Sequence, residues 1–536
     1  MLLWQDLKQA FRVIKTKPGL TAAVVLTLGL GIGANSAIFS VVNAMLLRRL
    51  PYPSPDRLVM VWGNNPELQI GFDELPSSPP NYIDWRDQNT VFEQMAAFRS
   101  WPVNLTGIDR PERISGARVS YNLFSTLGVP PAKGRDFLPE DDREGAEKVV
   151  IISHGYWMQR LGGRLETIGS SLVLNSESYT IIGIMPEGFN FPNSRGMPAA
   201  FQFSATTELW VPLAQSKALL ENRDLLILAV IARLKPNVTL ESAQAQMRIL
   251  AGRLEQMYLE NAGYGVKIVT LQEQTVGRVK QSLLVLLGAV GLVLLLACTN
   301  AANLLLVRSL ARQREFAIRA ALGASRARLI TQALVESIAM AIIGGVLGIF
   351  LARWGVQAII VLAPGDIPRS IEASIDLRVL GFLIIVIFFT GVVSGLAPAL
   401  QISKTDLQSV LRQEGRSSAS HSVGRSLRNA FVVLEVAVAL IVLCGAGLLI
   451  RSFSNIQGVD PGMRSENVLT MNVLLPSGPG MRYNKRDEQT RFYQRSLEQV
   501  GQLPGVRFAG AITSLPLSGK IQSASFAIEG QPSAVP

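Results

Sequence analysis

Hydrophobic positions along the chain follow two regimes. In the first they run almost unbroken, over 20–47, 283–307, 331–352, 379–400 and 430–450. A helix needs roughly 20 apolar residues, at about 1.5 Å each, to cross the hydrocarbon layer of a bilayer. Five transmembrane helices are therefore expected. In the second regime, from Leu50 to Gln281, apolar positions come in short runs or recur at helical spacing. VVIIS, SLVLN, YTIIGIM, LWVPL, LLILAVIARL and GVKIVTL read as strands, and Asn81–Phe98 and Leu240–Tyr258 as amphipathic helices. In the second of these helices Leu240, Ala243, Met247, Leu250, Leu254 and Met257 form one stripe, which predicts core packing. The expected fold class is an α-helical membrane bundle plus an extracytoplasmic α+β domain.

The spans carry small-xxx-small pairs, Gly29 with Gly33, Gly344 with Gly348 and Gly391 with Gly395, which predict close helix packing. Asn35, Ser36, Ser40 and Asn43 are costly against lipid and should face other helices or a second protomer. Both cysteines, Cys298 and Cys444, fall inside spans, so the 48–282 region must rely on a packed core without disulfides. Residues 1–19 read as an amphipathic interfacial helix closed by Pro18-Gly19, and 20–47 is too long for a cleaved signal core. The N-terminus is expected inside.

The net charge of +11 changes little by itself, because the arginines gather beside the spans, where they fix orientation and meet anionic headgroups. Nucleic acid is not an expected partner; membrane lipid is. One group differs from the rest. Between the second and third spans lie Arg308, Arg312, Arg314, Arg319, Arg326 and Arg328 against a single acid, Glu315. Because EFAIRAALGA consists largely of good helix formers, this charge should ride on a rigid cytoplasmic elbow, 308–330.

ACTNAANLLLVRSLARQREFAIRAALGASRARLITQALVES resembles the signature region of FtsX-type and MacB-type permeases, the membrane partners of ABC ATPases. GIGANSAIFSVVNAMLLRRLPYPSPDRLV is similar to the opening of the duplicated, ADOP-like permeases of acidobacteria, and RISGARVSYNLFSTLGVPPAKGRDF and ISHGYWMQRLGG resemble segments of the family's extracytoplasmic core domain. The resemblance implies a core domain of two α/β subdomains at 48–282, the second inserted near Arg110 to Glu208. It also implies an FtsX-like domain at 283–400, in which 355–363 is a short outer interfacial helix. A cytoplasmic loop (401–429), a fifth span (430–450) and the incomplete start of a second extracytoplasmic domain (451–536) follow. The elbow would dock on the ATPase through Arg314, Glu315, Phe316, Arg319, Gly323 and Arg326.

Catalytic chemistry is poorly represented. The Gly519-Lys520 pair lacks the preceding glycine and the following Ser or Thr of a phosphate-binding loop, so no ATP cofactor is expected on this chain and a separate MacB-type ATPase subunit is implied. Ser153-His154 has no nucleophile elbow around it, and two histidines with no cysteine pair give no metal site. Glu336, about a turn inside the third span, is better placed to pair with a nearby arginine than to carry protons. The expected function is a non-enzymatic permease subunit of an inner-membrane export system. By resemblance a periplasmic adaptor, an outer-membrane channel and a second permease half or homodimer complete it; the alternative is a regulatory protein that activates an extracytoplasmic partner such as a cell-wall hydrolase.

Overall fold

The computed structural model describes residues 12, 18–65, 74–106, 112–193, 197, 201, 203–312, 315, 318, 319, 325–362, 376–404, 421–460, 462, 466–473, 475, 483, 485–513 and 515. Most of the predicted interfacial helix 1–19, the outer loop 363–375, the loop core 405–420 and the final stretch 516–536 lie outside the described residues, as do Arg314, Phe316 and Gly323. The chain divides into a membrane unit, Met1–Arg48 with Val276–Val459, and an α/β unit, Arg49–Thr275 with Asp460–Pro536.

The α/β unit is built on a sheet with strands β1 (Leu58–Asn64), β2 (Phe92–Leu105), β3 (Glu112–Val119), β4 (Lys133–Gly134), β5 (Val149–Ile152), β6 (Ser171–Leu174), β7 (Glu177–Ile184), β8 (Leu209–Pro212), β9 (Ala229–Leu234) and β10 (Gly265–Thr270). Their order is β10-β1-β9-β2-β3-β8-β5-β7-β4, with β6 paired to β2 and β7. Residues 112–212 thus supply one end of the sheet, and the flanking segments supply the other. Alternation sets the faces. Leu58, Met60 and Trp62 enter one core with Phe98, Phe124 and Trp210, while Val59 and Val61 enter another beneath two helices, Pro79–Gln88 and Leu240–Met257. A third cluster, including Val103, Ile152, Tyr156 and Tyr179, fills the 112–212 end.

The predicted helix Asn81–Phe98 is corrected. Ser78 caps a helix over Pro79–Gln88, its hydroxyl accepting from the Asn81 amide at 3.3 Å. Asn89 then ends it, its side-chain amide donating to the Trp85 carbonyl at 2.8 Å and its Oδ1 accepting from Phe92 N at 2.9 Å. FEQMAAF is locally helix-compatible, yet it lies in β2 between β9 and β3, so long-range pairing overrides propensity. The Leu240–Met257 stripe buries Ala243, Met247, Leu250 and Leu254, whereas Met257, at the helix end, is 58% exposed.

The membrane unit contains α1 (Pro18–Val42, continued as a π turn over Asn43–Leu47), α2 (Leu271–Ala311), α3 (Arg326–Leu362), α4 (Leu377–Lys404) and α5 (His421–Gln457). All five are long and apolar enough to cross a membrane. α2 begins directly after β10, 12 residues ahead of the predicted span. The separate interfacial helix over 355–363 is also corrected, because α3 runs unbroken to Leu362. Ala352 and Val356 pack against Ala37 there, and no proline intervenes before Pro364.

Candidate functional site

Helix contacts in the bundle are made at glycines. A Cβ on Gly29 would meet Leu347 Cδ2 at 2.9 Å and the Gly344 carbonyl at 3.1 Å; one on Gly33 would meet Leu351 Cβ at 2.9 Å and the Gly348 carbonyl at 3.1 Å. The α1–α3 crossing is therefore backbone on backbone. A Cβ on Gly391 would meet Ile338 Cα at 2.9 Å and one on Gly395 would meet Ser337 Cβ at 3.0 Å, so α4 lies close against α3. Polar side chains close on partners. Ser337 donates to the Gly391 carbonyl at 2.8 Å, Asn35 to the Val290 carbonyl of α2 at 2.7 Å, and Asn43 to Asp376 at 2.9 Å.

Where α2 ends and α3 begins, these contacts give way to a chain of ions. Arg308 Nη1 lies 3.0 Å from Glu336 Oε1, and Arg312 Nη1 lies 3.2 Å from Glu336 Oε2. Arg312 Nε also donates to Glu315 at 2.8 Å; Arg319 bridges Glu315 at 2.6 Å and Gln332 Oε1 at 2.9 Å. Only 6% of the Arg308 side chain and 13% of that of Glu336 are exposed, so this is a buried pair of the kind that needs such partners. The hydrogen bond from Arg312 holds the Glu315 carboxyl below its usual range; partial burial opposes this, and the fields of Arg312 and Arg319 reinforce it. Burial would lower Arg312, but Glu315 and Glu336 outweigh it and raise its guanidinium above the ordinary value. A small cavity opens here among Leu305, Arg308, Gln332, Glu336 and Pro398.

Of the predicted elbow residues, Glu315 and Arg319 enter this network and Arg326 starts α3 on an exposed surface. Glu336 pairs with arginines as expected, here Arg308 and Arg312, and Gln332 is the addition. The signal for Gln332 in the sequence is weak, a single amide near the start of an apolar span. The remaining candidates have structural uses. Ser153 Oγ accepts from Tyr156 N at 3.0 Å as a helix cap, and the His154 ring packs on Trp157 at 5.5 Å. Among the described residues no cluster of His, Cys, Asp or Glu could hold a metal ion.

Comparison with known proteins gives two successive family matches, a MacB-like periplasmic core domain over residues 21–250 and an FtsX-like permease C-terminal domain over 287–407. The macrolide export ATP-binding/permease protein MacB of Hahella chejuensis is 25% identical over 411 residues, 74% of this chain and 56% of its own length. The uncharacterized ABC transporter permease YknZ of Bacillus subtilis is 27% identical over 308 residues, 56% of this chain and 70% of its own. The chain thus spans little more than half the length of the Hahella relative. A solved structure of the periplasmic region of MacB from Actinobacillus actinomycetemcomitans aligns with 42% of this chain and 92% of its own, at 13% identity and a TM-score of 0.29. These names are those of exporters and permeases and do not favour the regulatory alternative. With the core-domain match ahead of the permease match and the elbow inside the latter, the chain belongs to the MacB/FtsX-type family of ABC permeases and is a multi-pass inner-membrane protein with a large extracytoplasmic domain.

Proposed function

We propose that the chain is the permease subunit of an ABC export system and has no catalytic activity of its own. A separate ATPase pushes the elbow 308–330, on the cytoplasmic side, and the spans carry the displacement to the extracytoplasmic domain. The observation that carries this reading is the ion chain from Arg308 through Glu336, Arg312 and Glu315 to Arg319. It joins the elbow to both α2 and α3, so a force on the elbow acts on two spans at once. The close α1–α3 crossing then adds a third. The spans work as levers, and the substrate is handled from the periplasmic side, with an adaptor and an outer-membrane channel completing the route. α5 presents most of its apolar surface, including Val433, Leu443 and Ile450, outward, which supports a second permease half or a second copy as a further partner.

Co-expression with a MacB-type ATPase tests the reading, comparing wild type with Glu315→Arg combined with Arg319→Glu. The swap keeps an ion pair within the elbow and reverses what it offers outward. ATPase stimulation should be abolished while the bundle stays folded. Unchanged binding and stimulation would reject coupling through this surface.

A further inference from the structure

In the antiparallel β2–β3 ladder Arg99 stands directly opposite Arg118. Side chains so paired leave the same face with Cβ atoms about 5 Å apart, where like charges repel. Both side chains are half-buried, and among the described residues neither forms an ion pair with a carboxylate. The nearby acid is taken: Glu177 is held by Lys148 at 2.5 Å and accepts from the Tyr179 hydroxyl at 3.4 Å. Burial, followed by repulsion from Arg118, pushes Arg99 down to about 10.

The second arginine is held in place. Its guanidinium lies 5.0 Å from the Trp101 ring centroid, and Trp101 leans on Tyr179 with centroids 5.7 Å apart. Opposite Trp101 in the register is Gly116, where a Cβ would come 3.2 Å from the indole and 2.8 Å from the Trp101 carbonyl. Glycine there lets the indole lie across β3 and carry Arg118. A stacked guanidinium keeps edge N–H groups for a planar oxyanion; it also hydrogen-bonds the Tyr179 hydroxyl, and its bond to the Leu213 carbonyl is long at 3.4 Å.

We propose that Arg99 and Arg118 form an anion site on the extracytoplasmic domain that binds the phosphate or carboxylate group of a small molecule between two guanidiniums. An uncompensated cross-strand arginine pair costs stability when empty, and a bound oxyanion turns that repulsion into two charge-assisted contacts. The site does not depend on how the elbow is driven.

The test is calorimetric titration of the full chain in detergent with phenyl phosphate and, separately, benzoate at fixed ionic strength, with melting temperatures measured alongside. The variants are Arg99→Met, Arg118→Met and their combination, with the exposed Arg248→Met as a control of equal net charge. Wild type and the control should bind saturably, with phenyl phosphate ahead of benzoate. Each single variant should lose about tenfold in affinity or more and the combination all of it, while Arg99→Met raises the ligand-free melting temperature by removing repulsion. Equal binding by wild type and the double variant, no binding by wild type, or loss of binding together with a lowered ligand-free melting temperature would overturn the proposal.

Discussion

The extracytoplasmic domain fills its interior with Trp62, Trp85, Trp210, Phe98 and Phe124, whereas the membrane bundle puts Gly29, Gly33, Gly344 and Gly348 where its helices meet. The bundle turns its large apolar side chains outward instead; Ile384, Ile385 and Phe388 are all more than 60% exposed. Solvent explains the inversion. Removing large apolar groups from water drives the domain together, but lipid tails are as apolar as leucine, so the bundle gains from close backbone approach and from closing polar groups on one another. Volume decides the first region and shape with charge pairing the second.

Four tests bear on this contrast. The largest effect is expected in the domain, where Trp210→Ala empties a site packed against Phe124 and Phe189 and should cost about 4 kcal/mol in chemical denaturation. Next comes the bundle's ion chain. Glu336→Gln strips Arg308 and Arg312 of a shared carboxylate and should cost about 3 kcal/mol, read as a fall in the detergent melting temperature, while Arg308→Met joined to Glu336→Leu should fall much closer to wild type. Full destabilisation in that double variant would mean the site depends on shape alone.

Gly348→Ala is smaller. Its Cβ would sit 3.2 Å from Gly33 N and 3.1 Å from Ile32 Cγ2, forcing α1 and α3 apart at a cost of about 2 kcal/mol; an alanine added to an exposed position of the domain should cost almost nothing. Smallest is a pH effect confined to the domain. Burial raises the Asp136 carboxyl to about 6, above its unfolded value, so the neutral acid is favoured in the folded state. Its contribution is complete below the unfolded pKa and disappears as pH rises through about 6. Asp136→Asn should therefore be more stable than wild type at pH 7 by about 1 kcal/mol, allowing for solvent screening, with the gap closing towards pH 4.

The spans and the elbow were legible in the sequence because each is a local signal: uninterrupted hydropathy in the first case, arginines between two such runs in the second. The α/β unit was legible only in part. VVIIS, YTIIGIM and LWVPL declare themselves by β-branched and aromatic content, but β1, β2 and β3 did not read as strands, and β2 carried a helix-compatible sequence that its neighbours β9 and β3 overrule. The candidate site divides the same way. Glu315 and Arg319, three and seven residues beyond Arg312, can be read together as one helical face, and Glu336 reads as an acid suited to an arginine. Its meeting with both Arg308 and Arg312, and that of Gln332 with Arg319, is decided only where α3 comes beside the end of α2. Arg99 and Arg118 lie 19 residues apart, and only the β2–β3 register sets them side by side. Composition and short-range spacing thus determined which segments enter the membrane and where charge collects. Tertiary structure decided which charges meet, because hydrogen-bonded register and helix crossing join positions that no local pattern relates.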